Sequence, residues 1–218
     1  MRIIFMGNPV IANPILKALH KSRHDIVGVV SNAPKPMGRG RILRHTAIGE
    51  LANELNLNYI PVESLKDNEF QLKLKSLIPD VFVVVAFRIL PNSILEIPKV
   101  GAVNLHTSQL PKYRGAAPIQ HALLNGDSET GITTFLIESK VDTGAILMQK
   151  KINIENEDNF GSLSEKMSGL GIKLVMETLN QLEEGSHNPI QQDNDLASPA
   201  PKITKEMCAI NWNDPVEE

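Results

Sequence analysis

The run Asp80-Val81-Phe82-Val83-Val84-Val85-Ala86-Phe87 constrains the fold more than any other stretch of this chain. β-Branched and aromatic residues without polar alternation mark a strand buried on both faces. Such a strand needs paired neighbours on either side and helical layers above and below. The flanking sequence supplies them. Residues 2–7 read as a first buried strand, 14–22 as a helix and 26–30 as a second strand. Residues 46–55 predict a helix with Thr46 as its N-cap, 59–60 a brief strand, 67–77 a helix, 100–106 a strand and 116–124 a helix. After that, 131–138 alternates as a strand and 145–154 as one or two more. Residues 161–183 carry Leu163, Met167, Leu170, Leu174 and Leu179 on one helical stripe. The expected fold is α/β: a doubly wound, mostly parallel open sheet flanked by helices, Rossmann-like, with an antiparallel edge.

Composition narrows the function classes. A chain of 218 residues with 42% hydrophobic content can bury a sizeable core. A net charge of −3 removes any globally basic field that would announce a nucleic-acid partner. Locally the balance differs: between Asn32 and Thr46 there is no acid, while Lys35, Arg39, Arg41 and Arg44 are all basic. Residues 31–45 have the composition of a long exposed loop. One cysteine, Cys208, leaves no disulfide framework and too few thiols for a Cys-based zinc site, as expected of a cytoplasmic protein. The N-terminal apolar run is broken by Asn8 and Pro9, too early for a signal peptide or membrane span. The turn Gly7-Asn8-Pro9 lacks the Gly-x-Gly-x-x-Gly fingerprint, and no phosphate-binding Gly-x-x-x-x-Gly-Lys-Ser/Thr occurs, so nicotinamide and nucleoside-triphosphate chemistry is disfavoured.

The chemistry concentrates at the end of the strand over 100–106. Asn104 and His106 are two apart, so their side chains share a face at a strand exit, where open α/β sheets place their sites. His20, His24, His45, His121 and His187 fall in helical or loop contexts and read as solvated or packing residues, without metal-ligand spacing. Asp142-Thr143-Gly144 puts a carboxylate on a tight turn after another strand. No nucleophilic Ser or Cys stands in a Gly-x-Ser-x-Gly elbow, which points to direct group transfer. Asn104 is suited to donate to a developing oxyanion, a contact worth about 2.7–4 kcal/mol. His106, when protonated, adds a second donor. Asp142 favours the imidazolium, orients it, and can accept the proton leaving an attacking amine.

Asn-x-His followed by Ser-x-Leu-Pro-x-Tyr-Arg-Gly-x-x-Pro, with Asp-Thr-Gly further on, resembles the formyltransferases that use 10-formyltetrahydrofolate. Gly38-Arg39-Gly40 and Pro201-Lys202-Ile203-Thr204-Lys205-Glu206 are similar to the branch acting on methionyl initiator tRNA rather than the glycinamide-ribonucleotide or sugar branches. The similarity runs from Met1 to Trp212. It implies that Asn104, His106 and Asp142 are catalytic and that amine attack on the formyl carbon passes through a tetrahedral intermediate. It implies folate contacts from Phe87, Arg88, Ile89 and Leu90, from Ser108, Gln109, Leu110 and Pro111, and from Ile137, Glu138 and Val141. Lys35, Arg39, Arg41 and Arg44 match the insertion that grips the tRNA acceptor stem, where phosphate contacts give affinity. No metal and no membrane partner is implied, and a monomer is expected.

The sequence departs from the family pattern in places. Asn8 stands where Thr is usual, Ile11 near an aromatic position, and Gln109 where Leu is usual. The loop Ala86-Phe87-Arg88-Ile89-Leu90-Pro91 is one residue short, and Arg88 takes the place of a glycine that lets the backbone approach the pterin. The expected organisation is a catalytic domain over 1–205 with 206–218 as a tail or linker start. The family's C-terminal β-barrel does not follow Glu218, so a fragment, an excised domain or a short form is expected. Two other readings stand beside the main one: an N-formyltransferase for a sugar nucleotide or other small amine, and a non-catalytic folate- or RNA-binding module.

Overall fold

The computed structural model describes residues 1–38, 40–210 and 212. Along the chain run β1 (Arg2–Gly7), a 3₁₀ turn at Val10–Ala12, α1 (Asn13–His20), β2 (Asp25–Asn32), β3 (Lys35–Met37) and β4 (Ile42–Arg44). Next come α2 (Ala47–Glu54), β5 (Tyr59–Val62), α3 (Asn68–Ser76), β6 (Val81–Val85), α4 (Asn92–Leu95) and β7 (Gly101–His106). They are followed by α5 (Pro118–Leu124), β8 (Glu129–Leu136), β9 (Ile146–Asn153) and α6 (Phe160–Glu184). Seven strands make one sheet in the order β5-β2-β1-β6-β7-β8-β9. The pairs from β5 to β7 are parallel, and β7–β8 and β8–β9 are antiparallel. This is the doubly wound sheet with an antiparallel edge that the hydrophobic pattern predicts.

Every residue of β6 is buried, because helices cover both faces. Ile3, Phe5, Val81, Val83, Val103 and Leu105 face one layer, packed against α1, α2 and α6. Ile4, Met6, Phe82, Val84 and Ala102 face the other, against α3 and α4. Thr46 caps α2 through its side chain, which accepts from the Gly49 amide, and Asp67 caps α3 by accepting from the Glu69 amide. The α6 helix starts in a capping box of Asn159 and Ser162 and stops at Gly185, whose φ of +67° suits the left-handed cap.

Two expectations need correction. Residues 31–45 are not a structureless loop: β2 continues to Asn32, and β3 and β4 then form an antiparallel hairpin pairing Lys35 with Arg44. All six strand residues are exposed, so no buried face imposed an alternation that could be read from sequence. The strand expected over 80–87 is shorter, ending at Val85, because Ala86 adopts φ +49° and takes Phe87 out of the ladder.

Chain direction decides where the site lies. From β1 the chain moves outward to β2 and β5, then returns to the other side of β1 for β6 and β7. A crevice opens beyond the carboxyl ends at such a switch point. The β3–β4 hairpin leaves the carboxyl end of β2, on that same edge of the sheet.

Candidate active site

A cavity of about 450 Å³ lies at the carboxyl ends of β6 and β7. Asn104 and His106 line it from β7, Phe87 to Leu90 from the loop after β6, and Ile137, Glu138, Val141 and Asp142 from the segment after β8. The volume falls within the roughly 300–1,000 Å³ range of small-molecule sites.

His106 is 6% exposed. Its Nε2 donates to the Tyr113 carbonyl at 2.8 Å, an acceptor that fixes a proton on that nitrogen. Nδ1 therefore faces the Asp142 carboxylate, 3.8 Å from Oδ2. Phe135 meets the imidazole edge-on, with ring centroids 6.4 Å apart. Asp142 sits at φ +53°, and its Oδ2 accepts from the Gly115 amide at 2.8 Å. Sequence reasoning expected Asp142 to orient the histidine. The hydrogen bond that holds the ring is the one His106 Nε2 donates to the Tyr113 carbonyl, while the Asp142 carboxylate stands farther off, beside Nδ1.

Tyr113, at φ +60°, is itself anchored. Its hydroxyl donates to Asp127 at 2.6 Å and accepts from Asn125 at 2.8 Å, and its amide donates to Ser198 Oγ at 2.9 Å. Burial, reinforced by the Asp127 carboxylate, pushes the phenol above its ordinary pKa.

Ser108, Gln109, Leu110 and Pro111 are not walls of this cavity. Leu110 packs with Phe135 and Ile146, an apolar side chain taken into the core. The Ser108 hydroxyl donates to the Lys112 carbonyl at 2.6 Å, and its own carbonyl accepts from Thr133 Oγ1 at 2.7 Å. Thr133 Oγ1 also accepts from the Leu110 amide, and Gln149 Nε2 donates to the Leu110 carbonyl. These residues brace the loop from behind. The peptide bond between Leu110 and Pro111 is cis.

Arg88 turns its guanidinium to the end of β5, donating to the carbonyls of Glu63 (2.8 Å) and Val62 (3.2 Å). It lies 5.4 Å from the Phe87 ring centroid, and burial lowers its pKa. The Ile89 side chain is exposed and Leu90 buried. Lys35, Arg41 and Arg44 are exposed on the β3–β4 hairpin, and Arg39 lies outside the described residues.

The structure adds residues that the sequence did not assign to the site. Ile11, Ile15, Met167 and Ser168 line the cavity from the α1 and α6 side. Their signal was present only as ordinary amphipathic spacing, which cannot separate a cavity wall from core. Gln192, in the segment after α6, is buried and donates to the carbonyls of Asp142 (2.9 Å) and Gly144 (2.8 Å). Nothing in its neighbourhood of the sequence marks it. Among the described residues no group of three or more His, Cys, Asp or Glu could hold a metal ion, and no helix is long and apolar enough to cross a membrane.

The formyl transferase family model matches residues 1–179. A methionyl-tRNA formyltransferase of Thermodesulfovibrio yellowstonii is 47% identical over 213 residues, covering 97% of this chain and 69% of its relative. That of Flavobacterium johnsoniae is 43% identical over 219 residues, covering all of this chain and 70% of its relative. Among solved structures, glycinamide ribonucleotide transformylase 1 from Symbiobacterium toebii matches with a TM-score of 0.71 at 18% identity, over 88% of this chain and 94% of its own, a likeness of fold. The match to the family model over residues 1–179 and the sequence identity along the whole chain show that the chain belongs to the methionyl-tRNA formyltransferase family.

Proposed function

We propose that this chain transfers the formyl group of 10-formyltetrahydrofolate to the amino group of methionyl initiator tRNA, with Asn104, His106 and Asp142 carrying the chemistry. The observation that carries the reading is the convergence of these three side chains on one cavity, with His106 Nδ1 and the Asp142 carboxylate 3.8 Å apart. The folate supplies the formyl group. Phe87, Leu90, Ile137 and Val141 offer apolar walls to a flat pterin ring, and the cavity volume suits it.

The chain's own groups divide the work. Asn104 donates its amide N–H to the formyl oxygen as negative charge develops there, a contribution of about 10²–10³ in rate. His106, held through Nε2, presents Nδ1 as a second donor when protonated. Asp142 takes the proton that the amine nitrogen sheds as its bond to the formyl carbon forms, directly or through water. The tetrahedral intermediate then collapses by breaking the bond from that carbon to the folate nitrogen, which regains a proton and leaves as tetrahydrofolate. One Asp142 oxygen is engaged by Gly115, which fixes the carboxylate without removing its basic electron pairs. The exposed hairpin with Lys35, Arg41 and Arg44, together with Arg39, supplies phosphate contacts to the acceptor stem. Residues 1–205 form the catalytic unit in this reading, with 206–218 leading out of it.

Charged initiator tRNA and the folate donor, assayed with His106→Ala and Asp142→Asn, test the assignment. Both variants should lose formyl transfer by about 10²-fold or more while folate still binds. Near-full activity in both would remove these residues from the chemistry.

A further inference from the structure

Gln192 stands outside residues 1–179 matched by the family model. In the structure, residues 190–200 form a strap across the catalytic loops. Ile190 and Ile146 exchange two backbone hydrogen bonds of 2.8 Å at one end. At the other end, the Arg114 amide donates to the Ser198 carbonyl at 2.8 Å, and the Ala200 amide donates to the Arg114 carbonyl at 2.6 Å. Gln192 lies between these anchors, 8% exposed, and uses its whole amide. Oε1 accepts from Arg114 Nε (3.0 Å) and Nη2 (2.7 Å). Nε2 donates to the carbonyls of Asp142 (2.9 Å) and Gly144 (2.8 Å).

We infer that Gln192 is a positioning residue that fixes the Asp142 turn against the Tyr113-Arg114-Gly115 loop and so sets the His106–Asp142 geometry. Three consecutive residues of that loop each hold one part of the reacting set. The Tyr113 carbonyl holds the His106 ring, and the Gly115 amide holds the Asp142 carboxylate. Arg114, through Gln192, holds the Asp142 backbone. Asp142 sits at a left-handed φ that a non-glycine residue leaves readily unless its surroundings hold it. Gln192 bridges loop and turn with its acceptor on Arg114 and its donor on the Asp142 and Gly144 carbonyls. Without it, the half-buried Arg114 Nε and the turn carbonyls are left without partners at once. Displacement of a catalytic group by about 1 Å can cost about 10²-fold in rate.

The inference rests on the proposed reaction, so wild-type protein is assayed first with charged initiator tRNA and 10-formyltetrahydrofolate. Absence of wild-type formylation overturns the proposed function itself. With wild-type activity in hand, Gln192→Ala should lower kcat by about 10²-fold, with the folate KM changed by less than about threefold. Hydrogen exchange of the Gly115 amide, the reporter of the loop–turn contact, should quicken by at least about tenfold while β1 and β6 amides keep their protection. Gln192→Glu keeps the volume and the Arg114 half but sets a carboxylate against two carbonyls. It should lower kcat similarly, and it replaces the alanine variant should that one fail to fold. Exposed Gln191→Ala should leave both readouts unchanged. The role is overturned by near-wild-type kcat in both Gln192 variants, or by a loss in which β1 and β6 protection falls together with that of Gly115.

Discussion

Arg88 is part of the cavity lining, yet its charge is spent on a neighbouring strand end. Its guanidinium closes over the end of β5, bonding the Val62 and Glu63 carbonyls while lying over the Phe87 ring. The loop from Phe87 to Leu90 is therefore pinned from outside. Loss of such a bond costs about 1 kcal/mol, or about fivefold in an equilibrium. Arg88→Ala should raise the folate KM by about that factor and leave kcat nearly unchanged, as steady-state kinetics would read. A fall in kcat with KM unmoved would place Arg88 in the reaction instead. Asn104, His106 and Asp142 could be picked from the sequence only in combination, as an amide, an imidazole and a carboxylate at strand ends, and the structure brings them to one cavity. Tyr113 and Gln192 could not be picked, because the first acts through its backbone carbonyl and the second across a chain separation of tens of residues.

The catalytic loop is held at the level of elements by strand β8, strand β9 and the strap. Thr133 of β8 and Gln149 of β9 tie down Ser108 and Leu110. The turn after β8 is closed just as tightly, since a Cβ at Gly144 would lie 1.7 Å from the Leu136 carbonyl oxygen. Gly144→Ala must therefore displace the turn that carries Asp142. We expect it to destabilise the fold by about 1–3 kcal/mol in urea titrations and to reduce formyl transfer at temperatures where the variant remains folded. Full stability would mean that the turn relaxes freely. The strands and long helix were readable because burial imposes period. The β3–β4 hairpin was not, because nothing is buried on either of its faces.

Charge and catalysis are brought to one edge in the whole molecule. A chain of net charge −3 carries its basic hairpin at the carboxyl end of β2, the same edge that opens at β6 and β7. Replacing Lys35, Arg41 and Arg44 together by alanine should weaken tRNA binding and flatten its salt dependence, by about one unit of slope for each phosphate no longer neutralised. Binding measured across a salt series checks this, and an unchanged slope would take the hairpin out of the interface. Formylation of a small amine should be unaffected, since those charges lie outside the cavity.

Sequence alone determined the layered sheet and the strand exits and singled out the three polar side chains that meet at the cavity, because hydrophobic period and residue chemistry are local properties. Only the tertiary structure decided what holds those side chains. His106 takes its orientation from a loop carbonyl, Asp142 from a loop amide, and both loops meet through a glutamine on the closing strap. Such contacts join segments that chain order keeps apart. They are made by backbone groups and an amide present in any sequence, so only the packed fold singles them out.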